Sequence, residues 1–418
     1  MKFGVLIVSI LSGVLSPCFA HSDTETEKSI CDRKSLTNGL WGLDKALEPS
    51  GIEMTVSTTQ IYQQNLKGGI STHRKAGRYS GSYDIQLSAD MEKLIGFSGG
   101  SMYMRAEGSW SDGINDPSVG SQFGVNADAA GYRSLDVTEL WYEQMLGSES
   151  LRLRIGKLDL TGTFECRGCP VSFDGNRFAN DENTQFLNSS LVNNPTIPFP
   201  DRGLGAVLFW NPIEWWYASA GIADAQADAR ETGFNTAFHG EDYFFSIAET
   251  GITPQIDSPK GPMQGAYRIG MWYDPQDKDA FDGSSTVRDD RGYYLSLDQL
   301  VWKENTTEDQ QGLGVFARYG WADQNVNTFK NFISGGLSYT GLFDGRDDDV
   351  TAVGVGHGSL SDKSEDFTVD SETVFEAFHN AQITKFIYLT PSVQYIARPN
   401  GANGNDAVVA ALRLQIIF

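Results

Sequence analysis

Beyond its first twenty residues, this chain contains no apolar run near the ~18–20 residues that a membrane-crossing helix needs. It does alternate apolar and polar residues many times. In residues 82–92, Tyr83, Ile85, Leu87, Ala89 and Met91 fall on one face and Asp84, Gln86, Ser88, Asp90 and Glu92 on the other. A period of two without a slip is a strand signature. About sixteen such segments follow one another, starting near Glu53, Ser82, Ser101, Leu135, Leu151, Gly203, Glu214, Phe238, Gln264, Gly292, Gly312, Asn331, Val350, Glu372, Phe386 and Asp406. The segments at 135–146 and 238–247 alternate ambiguously. An even count suits a closed antiparallel barrel.

The opening segment carries Lys2 as its one charge, then an apolar stretch from Val5 to Leu15, then Pro17-Cys18-Phe19-Ala20. This predicts a secretory signal peptide over 1–20, cleaved before His21. The stretch is short and ends in Pro for a membrane helix, and Pro17 is poorly suited to lipidation at Cys18. An exported chain without helical spans can enter a membrane only as a closed barrel. Connection lengths agree. With the N-terminus on the inner side, the outer connections average about 17 residues and the inner ones about 7, as barrels with long external loops and short periplasmic turns do. The longest, 161–202, is the third outer loop. The inner connection at 248–263 is long for its side.

The expected fold is therefore all-β: a 16-stranded antiparallel transmembrane β-barrel over 51–418, preceded by a short N-terminal periplasmic segment, 21–50. In that segment Trp41, Leu43 and Leu47 could pack a short helix against the inner mouth. Charges on the strands must face inward, because Arg or Lys on the lipid face costs ~2–4 kcal/mol at the midplane. This assigns Arg105, Glu107, Arg268, Asp298, Arg318, Glu376 and Arg413 to the lumen. Tyr293, Tyr319 and Trp321 are expected in an interfacial girdle.

Composition narrows the function classes. There are 54 acidic against 32 basic residues, a net charge of −22. Nothing here neutralises phosphates, so no nucleic-acid partner is expected. An apolar content of 40% with 12% aromatics excludes a disordered polyanion. Four Cys in 418 residues do not make a disulfide scaffold. Cys166-Arg-Gly-Cys169, in an oxidising compartment, reads as a disulfide clip, with a bridge from Cys31 to either as the alternative. The His residues show no metal spacing, Asp347–Asp349 reads as a solvated turn, and no metal or cofactor is expected. Asn188-Ser-Ser190 fits a glycosylation acceptor by coincidence. Gly96-Phe-Ser98-Gly-Gly100 matches a nucleophile elbow in letters, but that elbow needs strand, turn and helix. It lies between two alternating strands here. No cluster of Ser, His and Asp suggests an enzyme.

The third outer loop carries Phe173, Phe178, Phe186 and Phe199 with Pro195, Pro198 and Pro200. Forty residues so rich in aromatics are poorly suited to a loose tether. The loop is expected to fold into the lumen and narrow it, with an ordered external cap as the alternative.

The segments Leu36–Leu43 with Gly51-Ile52, Pro198–Gly205, Tyr217–Gln226, Tyr267–Pro275, Gly314–Asp323, Gly345–Asp349 and the close from Gln394-Tyr395 resemble the OprB-type carbohydrate-selective porins. The likeness spans about 36–418; the departures are the altered opening motif and the two Cys of the third loop. The resemblance implies a bacterial outer-membrane channel for passive diffusion of mono- and oligosaccharides. In such a channel Arg donors and carboxylate acceptors of the lumen would hydrogen-bond sugar hydroxyls, Arg268 and Glu376 among them. The acidic balance leaves a general or cation-leaning diffusion porin as the alternative. Further expected partners are outer-membrane lipid and lipopolysaccharide, and the barrel-insertion machinery through terminal Phe418. A homo-oligomer is left open.

Overall fold

The computed structural model describes residues 33–165, 186–228, 234–238, 240–306, 311–399 and 405–418. Residues 1–32 with the expected signal peptide, all four Cys and so the expected disulfide clip, Phe173, Phe178 and His239 lie outside these. Sixteen long strands are found among the described residues. The first five are β1 (Ile52–Lys67), β2 (Gly77–Asp90), β3 (Gly100–Trp110), β4 (Arg133–Leu146) and β5 (Ser148–Leu158). Next come β6 (Gly203–Ile213), β7 (Trp216–Asp224), β8 (Phe244–Ile252), β9 (Met263–Asp274) and β10 (Asp290–Lys303). The last six are β11 (Gly312–Ala322), β12 (Phe329–Thr340), β13 (Val350–Leu360), β14 (Ser371–Thr384), β15 (Ile387–Ala397) and β16 (Ala407–Ile417). Each pairs antiparallel with its sequence neighbours, and β16 returns to β1, from Ser57 opposite Ile417 to Lys67 opposite Val408. The sheet has no free edge, so every strand finds its backbone partners inside the protein.

The pleat sorts side chains as the lipid requires. On β9, Ile269 and Met271 are 52% and 63% exposed on the outer face, while Arg268 and Trp272 are buried inside. On β10, Tyr293 and Leu295 face out, and Tyr294, Ser296 and Asp298 face in. Tyr293 stacks on Trp321 at 5.3 Å at the long-loop end of the wall. Trp210 and Trp216 meet at 5.2 Å near the short-turn end. Such paired belts mark the two membrane interfaces.

Two strands differ from the periodicity reading for identifiable reasons. On β4 the register jumps: Arg105 faces Glu139 but Ala106 faces Val137, leaving Thr138 as an extra residue. This bulge flips the pleat, so Val137 and Leu140 both face out. Strand β8 begins at Phe244 and runs through Glu249 to Ile252, beyond the expected end at 247. Glu249 reads as a turn residue in sequence, but it points inward and is buried. The long inner connection thus shrinks to 253–262.

At the N-terminal side, a helical segment covers Asn38–Leu47, with positive φ from Gly39 to Gly42. Trp41 is 85% exposed and Leu43 is exposed, so they do not pack on the barrel as anticipated. The tether is Leu36: its amide donates to the Ile417 carbonyl at 2.8 Å, and its side chain joins Phe386, Ile387 and Leu414. The left-handed run at Gly39–Gly42 turns Trp41 away.

Facing is testable by one inversion. Ile269→Arg, on the lipid side near mid-strand, should lower stability in vesicles by ~2–4 kcal/mol, whereas Ser88→Arg, on the water side, should cost far less. Equal losses in denaturant titrations would contradict the assigned pleat.

Candidate functional site

Two of the outer loops send side chains into the barrel interior. The second outer loop, L2 (111–132), places Ile114, Val119, Phe123 and Val125 against inward residues of β12–β16, including Phe332, Val374 and Ile396. The described ends of the third, L3 (159–202), do the same elsewhere. Leu160, Phe164 and Ile197 pack on Phe245, Trp272 and Tyr294, while Phe186 and Leu191 pack on Phe316, Ala352 and Phe378. Phe199 is partly buried beside Phe245 at 6.3 Å.

Strand β13 explains how a loop can lie so close to the wall. Its inward positions include Gly354, Gly356 and Gly358. A Cβ on Gly354 would stand 2.9 Å from the Phe186 ring, and one on Gly356 3.1 Å from the Ser190 hydroxyl. The bare backbone is the seat for L3.

The seven lumen candidates all face inward, and each is buried. Arg105 binds Asp84 at 2.8 Å and lies 3.7 Å from Glu107. Arg202, near the end of L3, reaches Glu107 at 3.5 Å and Asp159, near its start, at 2.9 Å. This clasp draws the two ends of the loop together. Burial acts to raise the Asp159 carboxyl, but the Arg202 guanidinium and the Thr161 donors outweigh it and hold it below its ordinary value.

Across the barrel, Arg268 donates to the Tyr217 hydroxyl at 3.2 Å, the Glu165 carbonyl at 2.9 Å and Ser296 at 3.1 Å. Glu249 accepts from Tyr217 and Tyr294, both at 2.7 Å, and from the Glu165 amide. Arg318 donates to the Leu191 and Val192 carbonyls and stands 3.6 Å from the Glu165 carboxylate. Asp298 attracts both guanidiniums. Glu376 accepts the Leu187 and Asn188 amides, each at 2.9 Å. Arg413 is fully buried on β16, within electrostatic reach of Glu376. The polar atoms of Arg268, Arg318 and Glu376 thus engage L3.

A different stretch of wall remains half-open to water. On the inward face of β3–β6, Tyr103 stacks on Trp141 at 5.0 Å, and the Arg154 guanidinium lies 3.9 Å from the Trp141 ring and 5.1 Å from Phe209. Arg152 and Arg154 hold the two oxygens of Glu143 at 2.8 and 3.0 Å. The two Arg side chains keep 30% and 20% exposure, against 5% or less for Arg105 and Arg318. Sequence reasoning missed this group because the bulge at Thr138 hides the phase of β4. A period-two reading restarted after that residue puts Glu139, Trp141 and Glu143 on one face.

The remaining motifs have structural partners. Ser98 donates to Glu92 at 3.0 Å, in a helix–turn–strand order opposite to an elbow. Asn188 is buried and caps Ser190, so it offers no accessible acceptor. Asp349 departs from a solvated turn: it is buried and pairs with Arg346 at 2.7 Å. His357 and His379 bond Thr373 and Thr351, each at 2.8 Å.

If Phe186 seats L3, Phe186→Ala should release about 3–5 kcal/mol of packing. Hydrogen exchange at the Leu187 and Asn188 amides should then accelerate by at least about tenfold in a folded barrel. Unchanged exchange would remove Phe186 from the seat.

Comparison with known proteins agrees with this architecture. Residues 74–418 match the carbohydrate-selective porin family, OprB. Porin B of Pseudomonas aeruginosa is 23% identical over 91% of this chain and 90% of its own length. An uncharacterized protein of Aquifex aeolicus is 38% identical over 40% of this chain and 53% of its own. Among solved structures, the high-pH form of Pseudomonas putida OprB superposes with a TM-score of 0.79, at 19% identity, over 94% of this chain and all of that one. The low-pH form of the same protein gives 0.56, at 17% identity, over 93% and 99%. With a match over most of its length, the chain belongs to the OprB family of carbohydrate-selective porins.

Proposed function

We propose that sugars cross this outer-membrane porin along the half-open wall of β3–β6, beside the docked loops. The observation that carries this reading is the exposure contrast: Arg152 and Arg154 stay open to water while the guanidiniums under L3 do not. Arg152 and Arg154 offer fixed donors and Glu143 offers acceptor lone pairs to sugar hydroxyls. The stack of Tyr103, Trp141 and Arg154 holds these groups still, so little side-chain entropy is lost when a sugar arrives.

Arg105 and Glu107 border this wall from the constricted side. Arg268, Asp298, Arg318, Glu376 and Arg413 act from behind, by holding L3 where it narrows the path. Passage is passive diffusion of mono- and oligosaccharides and involves no reaction. The acidic balance is served by the outer loops, where Asp277, Asp279, Asp282, Asp362, Glu365 and Asp366 are exposed. There they suit divalent bridges to lipopolysaccharide rather than a cation filter in the path. Phe418 is the proposed contact for the insertion machinery. The path lies within one barrel and needs no second copy to complete it.

Each hydrogen bond to a charged group is worth ~1.5–3 kcal/mol at most. Arg154→Ala should therefore weaken the block of ion current by glucose or maltose several-fold in planar bilayers. Arg288→Ala, in an exposed outer loop, should leave it unchanged. If Arg154→Ala behaves like Arg288→Ala, the path does not run along this wall.

A further inference from the structure

Strand β14 carries two buried carboxylates at the same pleat phase, Glu372 and Glu376, with Val374 between them. Each closes on the backbone of a different loop. Glu372 accepts the Gln122 amide at 2.9 Å, the Phe123 amide at 3.4 Å and the Ser121 hydroxyl, all in L2. Glu376 accepts the Leu187 and Asn188 amides of L3.

The loops are also bonded to each other. Ala127 donates to the Leu187 carbonyl at 2.9 Å, and Ser189 to the Gly124 carbonyl at 3.2 Å. Gln394, on the next strand, bridges both: its amide donates to the Val125 carbonyl, and its carbonyl accepts from Asn188.

We propose that Glu372 and Glu376 are positioning residues that hold L2 and L3 as one unit and so set the width of the sugar path. The inference rests on the path running beside the docked loops. A carboxylate with two acceptor oxygens suits the task because two consecutive backbone amides converge on it. A Gln at either position keeps the size but replaces one acceptor by a donor that faces an amide donor. Because L2 and L3 are bonded to each other, freeing one loosens the other. The two positions should therefore be coupled rather than additive.

The test uses the full-length protein refolded in detergent, with barrel formation read from heat-modifiable gel migration. Glu372→Gln and Glu376→Gln should each raise single-channel conductance by about twofold or more, with added sublevels, and weaken maltose block. The double variant should exceed either single variant by less than the product of the two effects. Where a Gln variant does not assemble, the Asp variant, which keeps the charge but reaches less far, is read the same way. Folded variants with wild-type conductance and wild-type sugar block would overturn the proposal. So would single effects that simply multiply, since the loops would then move independently. Absence of sugar block in the wild-type protein would instead refute the sugar path, leaving the conductance change to test the loop hold.

Discussion

A backbone amide or carbonyl facing hydrocarbon must find its partner within the protein, and this requirement governs the rest of the molecule. Sixteen strands meet it by closing β16 onto β1. Closure forces each strand to show one face to lipid and one to the interior. The outer face becomes apolar, with Ile269, Met271 and Leu295 exposed. Polar and charged residues are left to the inside, the reverse of a soluble sheet packed on a core.

The inside is not a uniform water channel. A barrel of this size encloses more space than its own side chains fill. Here L2 and the described ends of L3 enter that space and build small hydrophobic cores with inward Phe, Trp and Val residues. Charges beneath the loops face a desolvation cost that only bonding can offset. They therefore pair with loop backbone and with one another, as Arg268, Glu249 and Glu376 do. Arg152 and Arg154 on β5 keep part of their surface open to water, and there the sugar contacts are proposed. This division between buried holders and open contacts is what the proposed sugar path uses.

The strand set was legible because lipid imposes a strict period of two, and most starts fall within a few residues of those read from alternation. Two local features defeated the reading. The Thr138 bulge changes phase within β4, and Glu249 puts a buried charge where a turn would usually carry one. The inward direction of Arg268 and Glu376 followed from the pleat, but their partners did not. Glu376 meets Leu187 and Asn188 across nearly half the chain, and no local pattern encodes which loop amide an inward carboxylate will meet. Gly354 and Gly356 carry no pattern that names a partner, and their use as a seat for Phe186 and Ser190 appears only once L3 is placed.

Binding of sugars to the open wall as they pass is the step that the proposed path requires. It is tested most directly by single-channel current through the wild-type protein in a planar bilayer while glucose or maltose is titrated from either side. Conductance should be small, fall with sugar concentration and saturate, as occupancy of a site requires. A large, cation-selective conductance that ignores sugar at every concentration would contradict the proposed path.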